Sequence, residues 1–200
     1  MILVGLTGSI GMGKSTVGRM LEDLGAAYWD ADSAVHRLYA KDGAGVGPVG
    51  EIFPSAVKDG VVDRTALAKI VLGDTDELKK LEAIIHPLVA RDREEFLAAS
   101  ALNGIGIVVL DIPLLFENNA EALFHEVVVV TAPADVQRAR VLARPGMTEN
   151  KLDAILEQQI PDDEKRKRAD YVIDTSVAIE ETRREVARVF EVITQRHEVN

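Results

Sequence analysis

The chain has 200 residues, 33 acidic against 23 basic side chains (a formal charge of −10), and no cysteine. That length suits one domain with room for inserted lobes. The missing cysteines exclude disulfides and thiolate metal sites, and the acidic balance argues against a nucleic-acid binder, which would present a basic face.

Ile2–Thr7 forms an apolar strand that runs into Gly8-Ser9-Ile10-Gly11-Met12-Gly13-Lys14-Ser15. This stretch fits G-x-x-x-x-G-K-[ST], the phosphate-binding loop. Its glycines let successive backbone N–H groups turn toward phosphate oxygens. Lys14 reaches the terminal phosphates, the Ser15 hydroxyl suits Mg²⁺, and a helix starting near Gly13 adds its positive end. The expected ligand is a nucleoside triphosphate. The apolar opening is too short for a signal peptide and no stretch approaches membrane-spanning length, so a cytoplasmic protein is expected.

Downstream, strands and helices alternate. Residues 26–30 read as a second strand after a helix that ends near Leu24-Gly25. The segment 45–50 matches G-x-G-x-x-G literally, but no strand precedes it and Pro48 interrupts it, so a flexible loop is expected. Residues 63–102 read as helices without a strand, with Pro87 suited to the first turn of a new helix, and form a substrate-side lobe. Residues 105–111 and 126–131 are buried strands by their apolar runs. Residues 134–169 are helical and cationic (Arg138, Arg140, Arg144, then Lys165 to Arg168) and form a lid, with Lys165 to Arg168 expected on a solvated face. Asn150-Lys151-Leu152-Asp153 mimics a guanine-reading signature but stands at a helix start, not a strand end. Residues 171–174 are a last strand, and 178–196 a closing helix with Val186, Val189, Phe190 and Ile193 inward. Such alternation predicts a parallel sheet covered on both faces, with ligands beyond the carboxyl ends of its strands.

The acids at those ends carry the chemistry. Asp30-Ala31-Asp32 follows the second strand, and Asp32, further into the loop, is the better candidate to accept a proton from a hydroxyl. Either aspartate could instead cap the helix near Ser33. Asp111 ends the third strand, as a Mg²⁺-holding acid or a simple turn residue. His36 and His86 have ordinary structural readings, and Trp29 is expected to pack. Residue chemistry alone stops at a small-molecule kinase of the nucleotide-kinase type. A non-catalytic nucleotide-binding regulator remains the rival from another class.

The order of motifs resembles the dephospho-CoA kinase family. The markers are Leu6-Thr7-Gly8, Gly13-Lys14-Ser15-Thr16, Asp30-Ala31-Asp32, Asp63-Arg64, His86-Pro87, Pro113-Leu114-Leu115-Phe116-Glu117, then Gln137, Arg140 and Arg144, and finally Ala169-Asp170. Ser9, Met12 and Phe53-Pro54 depart slightly from the family pattern. The resemblance implies a P-loop α/β fold, a three-layer sandwich with a five-stranded parallel sheet, and phosphorylation of the ribose 3′-hydroxyl of dephospho-CoA by ATP with Mg²⁺. It implies that Gly8 and Gly11, Met12, Gly13, Lys14, Ser15 and Thr16 wrap ATP, with Arg140 and Arg144 reaching in from the lid. Asp32 would be the base, and Arg140 would neutralise charge on the transferred phosphoryl. His86, Leu114, Leu115, Phe116 and Glu117 would shape the acceptor site, and Ser15 with Asp111 would hold the metal. No obligate protein partner, nucleic acid or membrane is implied.

Overall fold

In chain order, the elements of the computed structural model are β1 (Ile2–Thr7), α1 (Lys14–Asp23), β2 (Ala27–Asp30), α2 (Ala31–Tyr39), α3 (Val46–Ile52), β3 (Val57–Lys58), β4 (Val61–Val62), α4 (Arg64–Val71) and α5 (Thr75–Leu102). After these come β5 (Ile107–Asp111), β6 (Glu126–Thr131), α6 (Ala134–Leu142), α7 (Glu149–Glu157), α8 (Asp162–Arg168), β7 (Tyr171–Asp174) and α9 (Ile179–Glu198). The structure describes residues 1–198. They fall into two compact units, one made of residues 1–28 and 100 onward, the other of residues 29–99.

The larger unit is built on a sheet of order β2-β5-β1-β6-β7, in which β5, β1, β6 and β7 run parallel. Register places Val4 opposite Val109 and Glu126, and Val128 opposite Tyr171. Alternation along β6 sends Val128 and Val130 to one face and Val127 and Val129 to the other. The first pair packs with Val17, Met20 and Leu21 of α1 and Val186, Val189 and Ile193 of α9. The second pair packs with Leu115 and Phe116, against which Ile160 and Ala169 are laid. Each buried aliphatic side chain contributes about 1.5–3 kcal/mol, and both faces are covered, as an all-parallel sheet requires. The sheet order with a phosphate loop after its central strand is the expected α/β architecture.

The smaller unit has its own core of Leu38, Val49, Phe53, Leu67 and Ile85 with their neighbours. Two expectations are corrected here. Pro87 lies inside the single 28-residue helix α5 and not at a helix start. Proline removes one N–H and crowds the carbonyl a turn earlier, but Leu81, Ile84, Ile85, Leu88 and Val89 on both sides of it join one core, and that burial carries the helix through. The stretch expected as a flexible loop at 45–50 opens α3, with Val49 fully buried and Pro48 in its first turn, where no N–H is needed. A small hairpin, β3–β4, also went unread. Its turn is Asp59-Gly60, both at positive φ (51° and 75°), the dipeptide that two-residue hairpin loops favour.

Candidate active site

The phosphate loop leaves β1 at a point where only glycine fits. A Cβ at Gly8 would lie 2.4 Å from the Val130 carbonyl oxygen of the adjoining strand. At the other end Gly13 takes φ 88° as the residue before α1, and no side chain caps that helix. The amino end of α1, with Lys14, Ser15 and Thr16 in its first turn, is thereby presented to an anion. Lys14 folds across the loop, its Nζ donating to the Gly8 carbonyl at 3.1 Å.

Three uncharged side chains brace this loop from outside it. The Gln137 amide donates to the Ile10 carbonyl at 2.7 Å, and the Ile10 N–H donates to Gln159 Oε1 at 3.2 Å. The Thr175 hydroxyl donates to the Met12 carbonyl at 2.8 Å. Thr175, just past β7, is also where Arg140 ends. Its two guanidinium nitrogens donate to the Thr175 hydroxyl at 2.9 Å and to the Thr175 carbonyl at 2.6 Å. Arg138 points elsewhere and pairs with Glu149 and Asp153 of α7.

Beside the loop lies a cavity of about 360 Å³ lined by Gly11, Gly13, Thr16, Arg140, Arg144 and Thr175, with Val177 and Ile179 as an aliphatic wall. Cations and a helix amino end at one side with apolar surface at the other suit a nucleotide. A larger cavity of about 620 Å³ behind Met12 and Gln137 carries Asp162, Asp163 and Asp174 against Arg166 alone. Its charge disfavours a polyphosphate.

Asp111, 2% exposed, ends β5 beside β1. The Tyr28 hydroxyl donates to its Oδ2 at 3.0 Å. Gly18 of α1 makes room for that tyrosine, because a Cβ there would come within 2.3 Å of its ring. Ser15 and Asp111 are hard oxygen donors of the kind Mg²⁺ takes. Among the described residues no three His, Cys, Asp or Glu cluster as a cage.

In the smaller unit, one of the two aspartates is a helix cap. Asp30 is the cap of α2, accepting the N–H groups of Asp32 at 3.0 Å and Ser33 at 3.2 Å as well as the Ser33 hydroxyl. Asp32 is left exposed in the first turn of that helix. The segment is anchored from below by Asp92 of α5, which accepts from the Trp29 indole N–H at 2.7 Å and from Arg37. Burial pulls the Asp92 carboxyl upward, but the hydrogen bonds from Arg37 and Trp29 outweigh it and hold the group below the usual carboxylate range. His86 is exposed on α5.

The segment after β5 departs from expectation. Leu114 is exposed, but Leu115 and Phe116 are core, 0% and 1% exposed, because they fill the face of the sheet under Val127 and Val129. Glu117 turns inward and meets Lys165 at 2.8 Å. Lys165 is fully buried, which overturns its placement on a solvated face; only Arg166, Lys167 and Arg168 of that run are exposed. Thr175, Gln159 and Asp92 were missed from sequence, and Lys165 was misplaced. Only Thr175 carried a signal, since it follows a strand end where a parallel sheet gathers its ligand site.

A five-stranded parallel sheet with a phosphate loop after its central strand is the nucleotide-kinase-like P-loop α/β fold. A shikimate kinase from Acinetobacter baumannii shares this fold at TM-score 0.54 and 21% identity, over 98% of this chain and 94% of its own. The dephospho-CoA kinase family model matches residues 2–181, and the chain belongs to that family. A dephospho-CoA kinase of Mesorhizobium japonicum is 56% identical over 191 residues, 96% of each chain, and one of Brucella melitensis is 50% identical over 189 residues, 94% of each. Among solved structures, a Thermus thermophilus protein aligns with TM-score 0.76 at 35% identity, covering 98% of this chain and 97% of its own. The dephospho-CoA kinase of Campylobacter jejuni aligns with TM-score 0.68 at 26% identity over 96% of both.

Proposed function

We propose that the chain transfers the γ-phosphoryl group of ATP to the ribose 3′-hydroxyl of dephospho-CoA, giving ADP and coenzyme A, the last step of coenzyme A synthesis. The observation that carries this is the match to the dephospho-CoA kinase family from residue 2 to residue 181, which spans the phosphate loop and every acid assigned below.

The triphosphate lies along the amino end of α1. There the loop amides and Lys14 hold its negative charge, and Val177 and Ile179 take the base. Asp32 accepts the proton of the 3′-hydroxyl, the freed oxygen forms a bond to the γ-phosphorus, and the bond from that phosphorus to the β–γ bridging oxygen breaks. Arg140, fixed by two hydrogen bonds to Thr175, presents its charge to the nucleotide cavity, and Arg144 stands at the same rim. Lys14 and Arg140 supply preorganised positive charge where negative charge develops. Ser15 and Asp111 would hold Mg²⁺, which screens the phosphate oxygens when bound. Leu114 and His86 are assigned to the acceptor. Action in the cytoplasm is proposed from the family match; no helix among the described residues is long and apolar enough to cross a membrane.

A coupled ADP-release assay offering dephospho-CoA, nucleoside monophosphates and shikimate in parallel tests the reading. Turnover should depend on dephospho-CoA. Equal or greater turnover with another acceptor would reassign the substrate, and ATP binding without acceptor-dependent turnover would favour a regulator.

A further inference from the structure

Glu117 stands three residues after Leu114, which the proposed function gives to the acceptor, and its carboxylate is turned inward onto the protein. Its Oε1 accepts the Ile160 N–H at 2.9 Å and lies 2.8 Å from Lys165 Nζ. The lysine is 0% exposed and the glutamate side chain 13%. Burying a charge costs several kcal/mol and is repaid only by a close partner, so this is an expensive contact to keep for surface decoration. The same face adds further ties. Arg168 pairs with Glu121 and lies 4.5 Å over the Phe116 ring, and Ile160 packs against Leu115 and Phe116. The residue before Ile160 is Gln159, which accepts the Ile10 N–H of the phosphate loop. Two adjacent residues between α7 and α8 thus hold the phosphate loop on one side and the segment after β5 on the other.

We propose that Glu117 and Lys165 are positioning residues for the acceptor. Their buried ion pair, with Gln159-Ile160, fixes the segment 113–119 relative to the phosphate loop, and Glu117 itself does not touch the substrate. This rests on the assignment of Leu114, within that segment, to the acceptor. It separates sharply from the alternative in which Glu117 is a direct acceptor ligand. A direct ligand needs only its own carboxylate, whereas a brace fails equally when either partner is removed.

The test compares Glu117→Gln, Lys165→Met and the double variant with wild type. The readouts are KM for dephospho-CoA, KM for ATP, kcat and thermal melting. Removing one member of a buried pair destabilises the fold, and neutralising both relieves much of that cost, so the double variant keeps the test alive if the single variants fold poorly. The brace predicts that KM for dephospho-CoA rises roughly tenfold in all folded variants, with KM for ATP within about twofold, because the segment loosens while the loop keeps Gln137 and Thr175. It also predicts that the double variant regains melting temperature without regaining acceptor KM. A raised KM in Glu117→Gln with Lys165→Met unchanged overturns the brace in favour of direct contact. Recovery of acceptor KM together with melting temperature makes the pair merely structural and also overturns it. Amide hydrogen exchange over residues 114–120 supplies a readout independent of the acceptor's identity. The brace requires faster exchange there in the double variant, and unchanged exchange contradicts it. A wild type inert toward dephospho-CoA would sink the functional assignment instead, with the exchange result still judging the brace.

Discussion

The phosphate loop and the turn bearing Asp32 are both held by side chains outside them, and the two supports differ in kind. The loop hangs on Gln137 and Thr175, which are 7% and 8% exposed, through uncharged hydrogen bonds to the carbonyls of Ile10 and Met12. The Asp32 turn hangs on Asp92, whose partners are the buried Trp29 indole and an Arg37 side chain that is 53% exposed. Buried neutral hydrogen bonds are insensitive to salt and pH, and leaving one partner unsatisfied costs about 1–3 kcal/mol. A half-exposed ion pair is worth about 0–1 kcal/mol and is screened. The difference teaches that nucleotide grip should be robust to solution conditions, and that the placement of Asp32, the proposed base, should be the conditional part.

The comparison breaks first at Asp32. General-base catalysis contributes typically about 10²–10⁴-fold, so Asp32→Asn should lose about that much kcat while equilibrium ATP binding is unchanged. Retained turnover would reduce Asp32 to a helix residue beside the true cap, Asp30. Next in size is Thr175→Val, which strips the Met12 carbonyl and one of the two Arg140 donors of their partner, the Thr175 backbone carbonyl still accepting the other. With about 1–3 kcal/mol at stake, KM for ATP should rise roughly ten- to hundredfold, equally at low and high salt. A smaller and opposite signature belongs to Asp92→Asn. Steady-state kinetics should show kcat down about two- to fivefold at low ionic strength, with KM for ATP untouched and the deficit shrinking as salt screens the wild-type pair. A salt-dependent Thr175 effect, or a salt-independent Asp92 effect, would invert the distinction drawn here.

Acid sharpens the same contrast by the smallest amount. The Asp92 carboxyl is depressed below its ordinary 3.8 in the folded chain. Between the folded and unfolded values the unfolded chain binds more protons, so stability rises with pH there. The contribution is complete above 3.8 and is lost as pH falls through the folded value. Melting curves should therefore decline more steeply at acid pH for wild type than for Asp92→Asn.

Much of this was legible in the chain. The phosphate loop carried its own geometry, since glycine spacing, an apolar strand before and a helix after leave few alternatives. The strands at 126–131 and 171–174 were read to the residue because buried parallel strands are nearly continuous in apolar residues. What escaped depended on tertiary packing. Pro87 continues a helix because its neighbours bury on both sides, which no local rule foresees. Lys165 and Leu115 look like an ordinary surface cation and a site-lining aliphatic, and only a partner distant in sequence makes each a core residue. Asp92 was invisible for the same reason, being 63 residues from Trp29.

The most direct measurement follows the phosphoryl group itself. With ATP, magnesium and dephospho-CoA, ³¹P NMR should show a new phosphomonoester signal coupled to the ribose H3′, growing as the γ-phosphate signal of ATP falls. Inorganic phosphate released while dephospho-CoA stays intact, or an ester formed at any other oxygen, would contradict the account.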